Sequence, residues 1–163
     1  MRALQGTTRV AFLGFFASHI IFSFLVDAQG IFGALFPILL QDFLVWYTDL
    51  FQDPLMGNAQ ELLWFQSLIA LELVFQVPFF FVACNFLSNT TLESYPRWFR
   101  YACIAYGAHT ATSMGPILTT LAISDYDSEM ARYQIFSVYL PYLIFPLWIL
   151  TLAVTTDEKA KVP

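Results

Sequence analysis

Residues 62–84 read Leu62-Leu-Trp-Phe-Gln-Ser-Leu-Ile-Ala-Leu-Glu72-Leu-Val-Phe-Gln76-Val-Pro78-Phe-Phe-Phe-Val-Ala-Cys84. One charge, Glu72, interrupts an otherwise uncharged run. About 20 mostly apolar residues cross a bilayer as a helix, so this stretch is long enough to do so. Three further stretches match it: Val10 to about Asp27, about Phe99 to Ile123 with His109 inside, and Ile135 to Val154 with no charge at all. The first also has the outline of a secretory signal peptide, with Arg2 and Arg9 ahead of an apolar run. That run exceeds the usual h-region, however, and no good small-residue cleavage site follows it, so an uncleaved helix is expected.

Composition agrees with the runs. Of 163 residues, 58% are hydrophobic and 12% charged, with 18 Phe, 8 Tyr and 4 Trp. Soluble domains sit near 45–50% apolar and about 25% charged. A soluble chain of this size cannot hide so much apolar surface, which argues against a cytosolic enzyme. Seven basic residues against twelve acidic ones argue against a nucleic-acid partner. Two Cys make no disulfide framework, and two Cys with two His show no zinc-ligand spacing, so neither metal nor cofactor is expected. Phosphate loops and nucleophile motifs are absent too. The sequence predicts an all-α polytopic membrane protein, residues 1–163 forming a single domain. It would be a four-helix transmembrane bundle with spans at about 10–27, 62–84, 99–123 and 135–154.

Basic residues orient the bundle, because Lys and Arg gather on the cytoplasmic side. Arg2, Arg9, Arg97, Arg100, Lys159 and Lys161 fall on one face and only Arg132 on the other. Both termini are therefore expected in the cytosol, and the Asn89-Thr-Thr sequon is expected to be unmodified. The long first loop, Ala28 to Glu61, is apolar in runs too short to span. It reads as short helices on the luminal surface, with Trp46 and Tyr47 at the interface. Lys159 and Lys161, three and five from the carboxyl end, form a dilysine retrieval pattern for the endoplasmic reticulum.

Ionisable groups at membrane depth are costly and usually functional. At 1.5 Å per residue, Glu72 lies roughly 15 Å below the luminal end, His109 roughly 14 Å from the cytosolic edge and His19 about 12 Å below Asp27. This permits a polar cluster at mid-depth with Asp27 above it, though Glu72 reads equally well as a packing hydrogen bond between helices. Pro78, Pro116, Pro141 and Pro146 each free a carbonyl one turn earlier, and kinked helices leave room between them. Phe75, Phe79, Phe80, Tyr106, Tyr139 and Tyr142 crowd the same region. An aromatic pocket with one acid suits a hydrophobic amine or a sterol, and composition does not choose between them.

Several strings together resemble the sigma-2 receptor family of the EXPERA group, relatives of the emopamil-binding sterol isomerases. They are Ser18-His-Ile, Asp27, Phe51-Gln-Asp-Pro-Leu, Glu72-Leu-Val-Phe-Gln-Val-Pro-Phe-Phe, His109-Thr, Gly115-Pro-Ile-Leu and Ser137-Val-Tyr-Leu-Pro-Tyr, in order from about residue 12 to 150. The resemblance implies an endoplasmic-reticulum receptor that binds sterols and cationic amphiphiles in a cavity open to the bilayer and serves cholesterol homeostasis. It implies no catalysis, and as partners a second copy of the chain and a lysosomal cholesterol exporter. It implies Asp27 as the amine-pairing carboxylate and Asp53 as the acid supporting it. Glu72, Gln76, Ser113, Val138, Tyr139, Tyr142 and Met56 would line or adjoin the pocket. Ser113 stands where the family often has Thr, and the lysine-rich family tail is reduced to two lysines. The competing function is a sterol double-bond isomerase, with Glu72 and His19 or His109 moving the proton.

Overall fold

A computed structural model describes residues 1–155, so the dilysine pattern at Lys159 and Lys161 lies outside the described residues. Every named element is helical, and the described residues contain no strand beyond an isolated bridge between Arg2 and Ser94. The helices are α1 Gly6–Leu35, α2 Ile38–Phe51, α3 Leu63–Ser88, α4 Arg97–Ile123 and α5 Glu129–Thr155. The described residues thus hold five long helices, one more than the four expected spans. The fifth, α2, comes from the first loop, whose apolar residues repeat at helical spacing over a length too short to span. The first helix also outruns its expected end at Asp27. Nothing stops it before Pro37, which holds Phe36 extended (ψ 148°) and then opens α2.

By length and composition α1, α3 and α5 are apolar enough to cross a membrane. Helix α4 has the length, 27 residues, but Arg97, Arg100, His109 and a Thr/Ser-rich stretch dilute it. It packs along α5 at Gly107, where a Cβ would come within 2.6 Å of the Pro146 carbonyl oxygen and 2.7 Å of the Leu150 Cβ. Glycine lets the two backbones close up, the usual device where lipid removes any hydrophobic drive between helices.

Two clusters fill the interior. Near the end carrying Met1 and Thr155, Phe12, Phe16, Phe79, Phe80, Phe99 and Tyr106 stack ring on ring. Near the opposite end, Val26, Leu55, Met56, Ile69, Leu121 and Ile135 pack under α2 and the loop that follows it. Polar straps hold that loop down. The buried Gln29 amide donates to the Leu25 and Leu40 carbonyls, and Gln60 donates to the Gln29 and Gly30 carbonyls. Gln52, in the left-handed region at φ 50°, ends α2 and exchanges hydrogen bonds with Asp127 in the α4–α5 connection.

Two helices are locally over-wide. Residues Ser23–Asp27 in α1 and Glu72–Gln76 in α3 form π turns, with the Ala28 and Val77 N–H groups bonded five residues back to the Ser23 and Glu72 carbonyls. The turn in α3 sits directly before Pro78, which has no N–H to donate.

Candidate functional site

Within the second cluster, under α2, is a cavity of about 470 Å³. Helix α1 contributes His19, Phe22, Val26 and Asp27, and α3 contributes Phe65, Ile69, Glu72 and Gln76. Thr110, Ser113 and Met114 come from α4, and Val138, Tyr139 and Tyr142 from α5. Helix α2 closes the end with Phe43, Trp46 and Phe51. The walls are mostly apolar and aromatic with a few convergent polar groups, as ligand cavities are.

The π turns decide which polar groups meet. Seven residues make nearly two α-helical turns, so an eighth overshoots. The extra residue that the Ser23–Asp27 turn absorbs returns Asp27 to the face of His19. Across the interface, Ser23 Oγ donates to Glu72 Oε1 at 2.5 Å, and His19 Nε2 lies 3.3 Å from the same oxygen. One ligand atom from each of His19, Asp27 and Glu72 lies within 4.8 Å of the others. The His19 ring is fixed between Phe80 (centroids 4.4 Å, near-parallel) and Tyr142 (4.5 Å). Beside this cluster, Thr110 Oγ1 donates to Gln76 Oε1 at 3.0 Å.

Asp53 stands behind the cavity wall, 3% exposed. Its Oδ1 accepts the Leu55 and Met56 N–H groups at 2.9 and 3.0 Å, while Oδ2 accepts the Tyr139 and Tyr47 hydroxyls at 2.8 and 3.1 Å. Burial pushes its carboxyl above the ordinary value, against the pull of those four donors. The structure ties Asp53 to Tyr139 and Tyr47, and sets Asp27 beside Glu72.

Of the other residues read from the sequence, Gln76, Ser113, Val138, Tyr139, Tyr142 and Met56 reach the cavity. His109 does not join the acids; its Nε2 is buried without a partner elsewhere on α4. Phe79, Phe80 and Tyr106 belong to the stacked cluster, and Phe75 faces outward. Tyr47 is not an interfacial anchor: it is buried on Asp53, whereas Trp46 remains 56% exposed at the cavity edge. Sequence reading missed Ser23 and Thr110. Ser23 carried a signal, since His19, Ser23 and Asp27 recur every fourth residue. Thr110 carried none beyond its place after His109.

Comparison with known proteins gives one consistent picture. Residues 39–152 match the family model EXPERA, the expanded EBP superfamily. The chain is 33% identical over 164 residues to proteins named sigma intracellular receptor 2 from Macaca fascicularis and from Homo sapiens, covering 90% of both chains in each case. Against the Xenopus tropicalis protein of the same name it is 32% identical over 148 residues, covering 85% of this chain and 83% of the other.

Proposed function

The chain belongs to the EXPERA superfamily, and from that membership we propose that it is an intramembrane receptor for sterols and cationic amphiphiles, of the sigma-2 receptor kind. One observation carries the reading: a carboxyl pair, Asp27 and Glu72, opens into a cavity otherwise walled by aromatic and aliphatic side chains. When one of two adjacent carboxyl groups keeps its proton, the pair holds a single negative charge and hydrogen-bonds internally. That charge, in a dry cavity, pairs with a ligand ammonium, while Tyr142 and Phe22 take the ligand's apolar body. A sterol fits the same walls and hydrogen-bonds through its one hydroxyl.

Four spans, with α4 as the fourth, and both termini in the cytosol complete the proposal, since α4 runs the length of α5 inside the bundle. Residence in the endoplasmic reticulum, a part in cholesterol homeostasis, self-association and contact with a lysosomal cholesterol exporter follow from the family likeness and are proposed with it.

The test is affinity for a cationic amphiphile and for a sterol in wild type and Asp27→Asn. The variant should fold, because its amide still bonds to Glu72. Amine binding should weaken by roughly 2–5 kcal/mol, the range for breaking a buried pair, and sterol binding by much less. An amine bound equally well by the variant removes Asp27 as the anchor.

A second reading, sterol double-bond isomerisation without a cofactor, is favoured by the His19–Glu72 approach of 3.3 Å, a ready proton-transfer pair. Incubation with a sterol carrying a ring double bond, followed by chromatography that resolves the double-bond isomers and NMR of the olefinic protons, separates the readings: a receptor returns the sterol with its double bond in place.

A further inference from the structure

We propose that His19, Asp27 and Glu72 form a binding site for a divalent transition-metal ion of the zinc type. Imidazole nitrogen and carboxylate oxygen are the donors zinc takes, and three protein ligands with a fourth position left open is the pattern of its reactive sites. Here the three ligand atoms already lie within 4.8 Å of one another, on two facing helices, and the open side is the cavity. Bonding an ion takes a further approach of these atoms, which the proposal assigns to rotamer changes of the two carboxylates.

A second observation points the same way. His19 is only 5% exposed, its Nε2 is aimed at the acids, and its Nδ1 is buried with no hydrogen-bond partner. Two rings in contact with it, Phe80 and Tyr142, hold the imidazole in that pose. A buried histidine that points at two carboxyl groups, without a full set of hydrogen bonds, is pre-aimed for ligation. An ion carrying two positive charges also neutralises both carboxylates in a cavity where a single ammonium neutralises one. Sequence spacing hid the site, because two ligands are eight residues apart and are aligned only by the π turn.

The proposal uses the carboxyls of the amine reading but stands without it. The experiment uses the full chain, free of any histidine tag, in detergent or lipid nanodiscs, with cobalt(II) as the probe. Wild type should take up one cobalt and show the strong visible absorption of a four-coordinate site, and added zinc should bleach it, since zinc outcompetes cobalt. His19→Gln and Glu72→Gln, each checked for helical circular dichroism and a monodisperse profile, should lose at least the roughly 10–100-fold in affinity that removing an outer-shell partner costs. Wild type without the absorption, or uptake unchanged in both variants, overturns the proposal. An amphiphilic amine is titrated in parallel. Protein that binds the amine but no cobalt refutes the metal site alone, and protein that binds cobalt but no amine refutes the amine reading alone.

Discussion

Asp53 shows what one buried carboxyl does to the pH response of the molecule. Its carboxyl is raised by burial in spite of four hydrogen-bond donors. The folded protein therefore binds the Asp53 proton more tightly than the unfolded chain, whose carboxyl titrates near 3.9. Stability contributed by that proton is present below the unfolded value and is lost as pH rises from there through the raised folded value. The difference in thermal midpoint between wild type and Asp53→Asn should thus fall in this window and level off above it. Tyr139→Phe, which removes a donor that favours the charged form, should push the upper edge of the window to higher pH. A midpoint difference that rises with pH instead would contradict the assignment. At this scale the sequence was partly legible. Glu72, Asp27 and His19 announce themselves as charges or imidazole inside apolar runs, because such groups are rare there. Asp53 sits in a loop where acids are ordinary, and only family likeness singled it out. Depth along a helix was readable but facing was not, which is why His109, at the right depth, ends up away from the acids.

At the scale of elements, the π turns do what residue identity cannot. Each puts one more residue into a turn, rotating everything beyond it, and such bulges recur at functional sites. In α3 the cause is local: Pro78 removes a donor and crowds the turn before it. Replacing Pro78 with Ala restores the N–H and lets the turn tighten to ordinary α geometry. The variant should be as stable as wild type or more so, given the roughly 3 kcal/mol that proline costs inside a helix. It should nonetheless bind the cationic amphiphile at least tenfold more weakly, because Glu72 rotates off the face that meets Ser23 and His19. Thermal unfolding and amine affinity measured on the same preparation check both halves; weaker binding with lower stability would mean simple misfolding. The prolines were visible in the sequence, and so was the room they create. The π turns were not, because hydrophobic periodicity reports 3.6-residue turns averaged over a helix and is blind to one inserted residue. The turn in α1 has no proline behind it at all. Helix α2 was legible as apolar and helical but not as a wall of the cavity, since its own periodicity does not say what it packs on; the Gln29 amide that bonds to its Leu40 carbonyl belongs to α1.

The whole molecule has an electrical direction. One end gathers the start of α1, the end of α3, the start of α4 and the end of α5, and these pieces are tied together. The Ala3 and Tyr95 N–H groups bond to the Glu93 and Met1 carbonyls, Arg9 donates to the Leu87 carbonyl at 2.8 Å, and Arg100 donates to the Ala153 carbonyl at 2.7 Å. Arg2, Arg9, Arg97 and Arg100 therefore stand at one end of a single bundle, whereas Asp49, Asp125, Asp127 and Glu129 stand at the other with Arg132. Cationic ends stay in the cytoplasm during insertion, and this arrangement supports the proposed orientation with Met1 and Thr155 on the cytoplasmic side. On that proposal α4 crosses as well, despite its Thr and Ser, because α3 ends and α5 begins at opposite ends. Its hydroxyls are satisfied within the helix even where they face outward: Thr112, Ser113 and Thr120 each donate to the carbonyl four residues earlier. The expected outcome is that epitopes fused at either end of the chain are reached by antibody after selective permeabilisation of the plasma membrane alone. Glycosidase treatment should leave the mass unchanged, because Asn89, in the α3–α4 connection, never meets the luminal transferase. A mass shift at Asn89, or an epitope exposed only when internal membranes are opened, would invert the bundle and place the α2 cap in the cytosol.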